Sequence, residues 1–211
     1  MTEGTRIGFY GGTFDPIHRG HLEPVLSIFD HMQWDEVVFI PAHRQPFKTT
    51  SSASSPFHRY AMTALATAGD PRLRCSSMEL ERGEISYTVD TLETLRLRYP
   101  TATLDWIIGE DNLSVLMSWK DPGRILELAN FVVLRREGGA IPPRELAGHV
   151  TDAAGRGSRG SIVLAENARV DISATEIRRR VREGKPFAEF LMPDVARYVE
   201  RYDLYRPEEL N

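Results

Sequence analysis

Gly11-Gly12-Thr13-Phe14-Asp15-Pro16-Ile17-His18-Arg19-Gly20-His21 is the stretch on which the fold of this chain turns. An apolar run, Arg6–Tyr10, precedes it and reads as a strand. Leu22, Val25, Leu26 and Phe29 follow it at helical spacing. Two glycines between strand and helix permit a tight turn and close approach of a ligand to the backbone. A helix opening near His18 turns its free N–H groups toward the same crevice. Its end carries about half a positive charge and favours phosphate. His18 and His21, three apart in the first turn, lie on one side and can donate N–H bonds to a phosphate. The segment has neither the G-x-G-x-x-G of a dinucleotide fingerprint nor a G-x-x-x-x-G-K-[ST] P-loop. No further ligand stands near the two histidines to complete a metal site.

Outward from this segment the same alternation continues. Glu36–Ile40 reads as a second strand and 41–55 as a Pro-, Ser- and Thr-rich loop. Ser55-Pro56 then supplies an N-cap and a first-turn proline for a helix through Ala68. Leu73–Ser76 is a short strand. Thr88–Tyr99 is a helix with Val89, Leu92, Leu95 and Leu97 mostly on one side, stopped by Pro100. Leu104–Ile108 is a buried strand, Asp121-Pro122 opens a helix through Leu128, and Phe131–Leu134 is another strand. Residues 136–160 are rich in Gly, Pro and Arg, with helix expected around 143–154. Ile162–Leu164 is the last strand. Ser173 and Glu176 form a capping box for a helix ending before Gly184, and a closing helix begins near Pro193. Strands alternating with helices predict an α/β fold, a parallel sheet with helices on both faces. Ligands bind such sheets beyond the strands' carboxyl ends at the switch point. The candidate residues do follow the first, second, fourth and last strands.

The chain has 211 residues, which suits one domain spanning 1–211. Its net charge of −4 argues against a general nucleic-acid binder, as does the lack of RRM- or KH-like motifs. A single cysteine, Cys75, excludes an internal disulfide or a zinc cluster. The polar start Met1–Arg6 is unlike a signal peptide, and no run of about 18 apolar residues occurs, so a cytoplasmic location is expected. The oligomeric state stays open; self-association is compatible with the sequence.

A second anion-attracting helix end is written at Ile172-Ser173-Ala174-Thr175-Glu176-Ile177-Arg178, where two hydroxyls and an arginine would suit a triphosphate. Between the two lie Ser86-Tyr87-Thr88-Val89-Asp90-Thr91-Leu92 and Gly109-Glu110-Asp111-Asn112-Leu113, with Trp119 shortly after.

Together these motifs resemble the nucleotidylyltransferase superfamily, whose hallmark [HT]-x-G-H tetrad is matched by His18-Arg19-Gly20-His21. The longer GGTFDPIH form and S-Y-T-V-D-T-L are similar to the nicotinate-nucleotide adenylyltransferase family, in that family's motif order and over nearly the whole chain. The resemblance implies a Rossmann-like nucleotidylyltransferase fold and adenylyl transfer from ATP to nicotinate mononucleotide, a step of NAD biosynthesis. It implies catalytic roles for His18, His21 and Arg178. ATP would lie against Gly11, Gly12, Thr13, Phe14, Asp15, His18, His21, Gly109, Asp111, Ser173, Thr175 and Arg178. The mononucleotide would lie against Lys48, Tyr87, Thr88, Asp111 and Trp119, the tryptophan stacking on the pyridine ring. Mg²⁺ is expected with ATP, held by phosphate oxygens and water rather than by the protein.

Two places depart from the family pattern. The loop after the second strand usually ends Pro-Pro-His-Lys; here it reads Pro41-Ala42-His43-Arg44-Gln45-Pro46-Phe47-Lys48, with Phe47 where His is expected. The stretch near Arg156–Gly160 has no family counterpart. For the acceptor, backbone donors at Tyr87–Thr88 favour a carboxylate over an amide, whose own N–H would leave them unpaired. Rival expectations are a transferase of the same fold acting on nicotinamide mononucleotide or phosphopantetheine, and a nucleotide sensor without turnover. Loss of either histidine would have favoured the sensor; both are present.

Overall fold

The computed structural model describes residues 4–46, 54–135, 141–157 and 159–207. The elements run β1 (Arg6–Gly12), α1 (Arg19–Ile28), β2 (Glu36–Pro41), α2 (Pro56–Thr67), β3 (Leu73–Cys75), α3 (Met78–Arg82), α4 (Thr88–Arg98), β4 (Thr103–Gly109), α5 (Glu110–Leu113), α6 (Pro122–Leu128), β5 (Asn130–Leu134), β6 (Val150–Thr151), β7 (Ile162–Ala165), α7 (Ala174–Arg182) and α8 (Pro193–Arg201). The strands form a seven-stranded sheet ordered β3-β2-β1-β4-β5-β7-β6, parallel at every pairing. This is the Rossmann-like arrangement, with its switch point between β1 and β4.

Helices cover both faces because adjacent strand residues point opposite ways. Tyr10, Phe39, Ile107 and Val132 pack on one side with α1, α2, α7 and α8. Phe9, Ile40, Ile108 and Val133 pack on the other with α4 and α6. A strand buried on both faces reads as an unbroken apolar run, which is why these strands are visible in sequence. Ser55 accepts the N–H of Phe57 at the head of α2. Asp121 accepts that of Arg124 at the head of α6, at 3.2 Å.

Several sequence expectations need correction. Leu97 is 85% exposed, so α4 buries Val89, Leu92 and Leu95 without it. The helix expected around 143–154 is a 3-10 turn, Arg144–His149, followed by β6 at the sheet edge. Elements as short as α3, α5 and β6 carry too few residues for a periodic signal. The Ser173–Glu176 capping box is half made. Ser173 accepts the Glu176 N–H at 3.2 Å. The Glu176 carboxylate turns to Arg179 and Arg180 instead, which hold its carboxyl down to about 2.

Arg156 anchors the sheet. The Arg156 side chain is buried, its Nε 3.4 Å from the fully buried Asp105. Its guanidinium donates to the carbonyls of Met32 and Ala153. Asp105 also accepts from Trp34 Nε1 at 2.8 Å and Asn130 Nδ2 at 3.0 Å, and Arg6 lies 3.6 Å away. A buried carboxylate is tolerable only with such a complete set of donors. Cys75 is largely buried in β3, and burial pushes its thiol up to about 12. No described helix is long and apolar enough to cross a membrane.

Candidate active site

An open cavity of about 1500 Å³ lies beyond the carboxyl ends of β1, β2 and β4. A single small-molecule pocket usually occupies about 300–1,000 Å³, so there is room for two nucleotides. Every described candidate residue named above lines it: Gly11 to Asp15, His18, His21, Tyr87, Thr88, Gly109, Asp111, Trp119, Ser173, Thr175 and Arg178. Lys48 and the divergent Phe47 lie outside the described residues.

The glycines act differently from expectation. Gly11 and Gly12 belong to β1, and the turn follows them. Their missing side chains make room for rings rather than for a bend. A Cβ on Gly11 would stand 2.6 Å from Trp106, and one on Gly12 would stand 2.7 Å from Phe14. Phe14 takes a left-handed conformation, φ 51°. That is strained for a bulky residue, and such strain is typical of ligand-binding turns.

His18 is the N-cap of α1 and is 2% exposed. Its N–H donates to His21 Nδ1 at 3.2 Å. A neutral His21 that accepts at Nδ1 carries its proton on Nε2 and can donate from there. The two rings stack with centroids 3.8 Å apart. Phe14 meets His21 edge-on at 5.1 Å. Gly20 suits this packing, since a Cβ there would stand 3.0 Å from the His18 ring and push it by a few tenths of an ångström.

Across the cavity, α7 opens behind the Ser173 cap. Arg178 donates through Nη1 to the Asp15 carbonyl at 2.6 Å and through Nη2 to Thr175 Oγ1 at 3.3 Å. The two helix N-termini are thereby joined through the loop after β1. Asp15 is 4% exposed, and its carboxylate is held by protein donors, Ser54 N–H at 3.2 Å and Tyr205 O–H at 2.7 Å.

Tyr87 and Trp119 mark the third side. The Tyr87 N–H already donates to the Ile85 carbonyl at 3.1 Å. The open donors at this end are therefore the amides of Thr88, Val89 and Asp90, which have no carbonyl within α4 to reach. The Tyr87 side chain supplies no cap; its ring lies under Lys120 Nζ, 4.6 Å from the centroid.

Sequence reasoning missed Arg59, Glu79 and Tyr205. Arg59, 3% exposed, donates to the carbonyls of Thr13, Ala42, His43 and Ser54 at 2.7–3.1 Å, tying the loop after β1 to both ends of the loop after β2. Burial lowers its pKa, while Asp15, Tyr205 and Glu79 oppose that. Glu79 is 4% exposed; burial raises its carboxyl, against hydrogen bonds from Thr91 and Ser86. Ser86 Oγ in turn accepts the His43 N–H at 3.1 Å. A buried Arg in the helix after a loop carries no motif of its own. Among the described residues no three His, Cys, Asp or Glu side chains are grouped to hold a metal.

A family model for cytidylyltransferase-like proteins matches residues 9–180. A probable nicotinate-nucleotide adenylyltransferase of Clavibacter michiganensis is 37% identical over 202 residues, 95% of this chain and 94% of that protein. One of Mycobacterium tuberculosis is 38% identical over 200 residues, 94% of this chain and 91% of that protein. The Plasmodium falciparum nicotinic acid mononucleotide adenylyltransferase complexed with NaAD superposes with a TM-score of 0.71, covering 95% of this chain and 97% of that one; at 20% identity this likeness is one of fold. With the cytidylyltransferase-like match spanning most of its length and such identity to these relatives end to end, the chain belongs to the nicotinate-nucleotide adenylyltransferase family.

Proposed function

We propose that this chain, acting as one domain in the cytoplasm, transfers the adenylyl group of ATP to the 5′-phosphate of nicotinate mononucleotide. Nicotinate adenine dinucleotide and pyrophosphate are the products. The observation that carries this reading is the pairing of two helix N-termini across one cavity, His18 and His21 on α1 facing Thr175 and Arg178 on α7.

The acceptor's phosphate oxygen attacks the α-phosphorus in line. A new O–P bond forms as the bond to the α,β-bridging oxygen breaks, and the electron pair leaves with pyrophosphate. A phosphate monoester is already anionic at neutral pH, so neither a protein nucleophile nor a general base is required. Catalysis is positioning and charge stabilisation. His21 donates from Nε2 to a non-bridging α-phosphate oxygen, with its ring fixed by His18 and Phe14. His18 supports it in the N-cap position. Arg178 takes the charge that develops toward the leaving group, while Ser173 and Thr175 contact the triphosphate. The loop from Gly11 to Asp15 and the turn at Gly109 and Asp111 seat the nucleotide. Bound with the triphosphate, Mg²⁺ would neutralise its oxygens, held by phosphate and water rather than by a group of described side chains.

Trp119 stacks on the pyridine ring, and Lys48 supplies a counter-charge to the acceptor phosphate. The amides opening α4 at Thr88 meet the pyridine carboxylate; an amide there would set N–H against N–H and leave buried donors unpaired. The test is His21→Ala in a pyrophosphate-release assay. The expected loss in kcat is about 10²-fold, the scale for one preorganised donor. Near-normal turnover by a folded variant would remove His21 from the mechanism.

A further inference from the structure

We infer that Tyr205, in the segment after α8, is a positioning residue for adenylyl transfer: its hydroxyl occupies the Asp15 carboxylate and so keeps the Arg178 guanidinium directed into the cavity. This rests on the role proposed above for Arg178.

A guanidinium beside a buried carboxylate normally docks on it with two parallel hydrogen bonds. Here Arg178 Nη1 stops 4.0 Å from Asp15 Oδ2. It bonds instead to the Asp15 carbonyl and to Thr175. The carboxylate is occupied by other donors: Tyr205 O–H takes Oδ1 at 2.7 Å, and Ser54 N–H takes Oδ2 at 3.2 Å. With a donor already on each oxygen, the pull of the carboxylate on the guanidinium is weakened, and the remaining N–H groups of Arg178 stay available to a phosphate.

The tail is built to deliver this hydroxyl. Two residues of the turn, Asp203 and Tyr205, adopt left-handed backbone, φ 48° and 69°. Such conformations persist in non-glycine residues only where the surroundings enforce them. The Tyr205 ring packs against the core shared by α2 and α8, and its oxygen lies 3.9 Å from Met62 Sδ. Burial, then the Asp15 charge, raises the phenol pKa, so it stays a proton donor across the neutral range.

Removing only the hydroxyl leaves Asp15 Oδ1 short of a donor in a buried site. Among the described residues Arg178 pairs with this carboxylate at 4.0 Å, and it then closes on the carboxylate and withdraws from the cavity. The experiment compares Tyr205→Phe, Arg178→Ala and the double variant of the full chain. The readouts are pyrophosphate release with MgATP and nicotinate mononucleotide, and thermal melting. Tyr205→Phe is expected to lower kcat/KM for ATP about tenfold, with the acceptor KM within about twofold. Its melting temperature should stay within about 3 °C. In the Arg178→Ala background the same change should cost less than about twofold, because the two residues act in one chain of contacts. A loss that persists undiminished in the double variant, or wild-type ATP kinetics in Tyr205→Phe alongside an impaired Arg178→Ala, overturns this inference alone. A fully active Arg178→Ala overturns both it and the role of Arg178.

Discussion

Replacing Gly20 with alanine separates the seat of His18 from the stability of the helix that carries it. Gly20 lies in the first turn of α1 with ordinary helical backbone, so the substitution is conformationally allowed. In a helix interior it would gain up to about 1 kcal/mol of helix propensity. The added Cβ, however, stands 3.0 Å from both Cε1 and Nδ1 of His18 and 3.2 Å from Ile172 Cγ2. Comfortable carbon contacts begin near ~3.5 Å, so the ring must move by several tenths of an ångström. It has little room, being 2% exposed and stacked on His21 at 3.8 Å. Overpacking of this kind costs about 1–3 kcal/mol. Against the propensity gain, the net destabilisation is about 0–2 kcal/mol, a drop of at most about 8 °C for a chain of this size. Turnover should suffer more. Displacement of a catalytic group by about 1 Å can cost ~10²-fold, and a shift of part of that distance should cost about tenfold. Steady-state pyrophosphate release alongside a thermal melt reads both quantities. A variant that melts higher than wild type and turns over within about twofold would refute the tight seating of His18.

Three further outcomes follow from the same geometry. Arg156→Met leaves Asp105 buried with Arg6, Trp34 and Asn130 as its remaining partners; unfolding should show a loss of about 3 kcal/mol, the low end for breaking a buried pair. Its kcat at permissive temperature should be unchanged, because the network sits in the first half of β4, away from the cavity. Trp119→Ala should raise the mononucleotide KM about tenfold and leave the ATP KM within about twofold, on the scale of a lost base-stacking contact; an effect confined to ATP would contradict the stacking role. Because burial raises the Glu79 carboxyl, the folded state holds that proton more tightly than the unfolded chain. Its contribution to stability is full below the ordinary carboxylate range and is lost as pH rises through the raised value. Glu79→Gln should therefore gain stability relative to wild type as pH rises from the ordinary carboxylate range through the raised value, and a constant difference would refute the shift.

Much of this molecule was legible because its chemistry is local. The strands are apolar runs buried on both faces, the helix heads carry Ser55, Asp121 and Ser173, and the phosphate-facing residues sit in short stretches directly after strands. What sequence could not show is what depends on residues distant in the chain. Arg59 reaches back to the carbonyl of Thr13, Tyr205 crosses to Asp15, and Arg156 plugs beneath β4. Each is an ordinary residue type in a segment without a motif. The two glycines that end β1 show the converse: their identity was informative, but the reason lies in Trp106 and Phe14 rather than in a turn. Tyr87 is similar, because Ile85 takes its N–H and moves the donor cluster to the next residue.

The most direct test of the central claim is pyrophosphate release from MgATP with nicotinate mononucleotide or nicotinamide mononucleotide as the acceptor. The account predicts a kcat/KM at least about 10²-fold higher for the acid, the consequence of leaving buried α4 amides unpaired against an amide. Equal rates with both acceptors would contradict the carboxylate recognition at Thr88, and absence of release with either would contradict the proposed reaction itself.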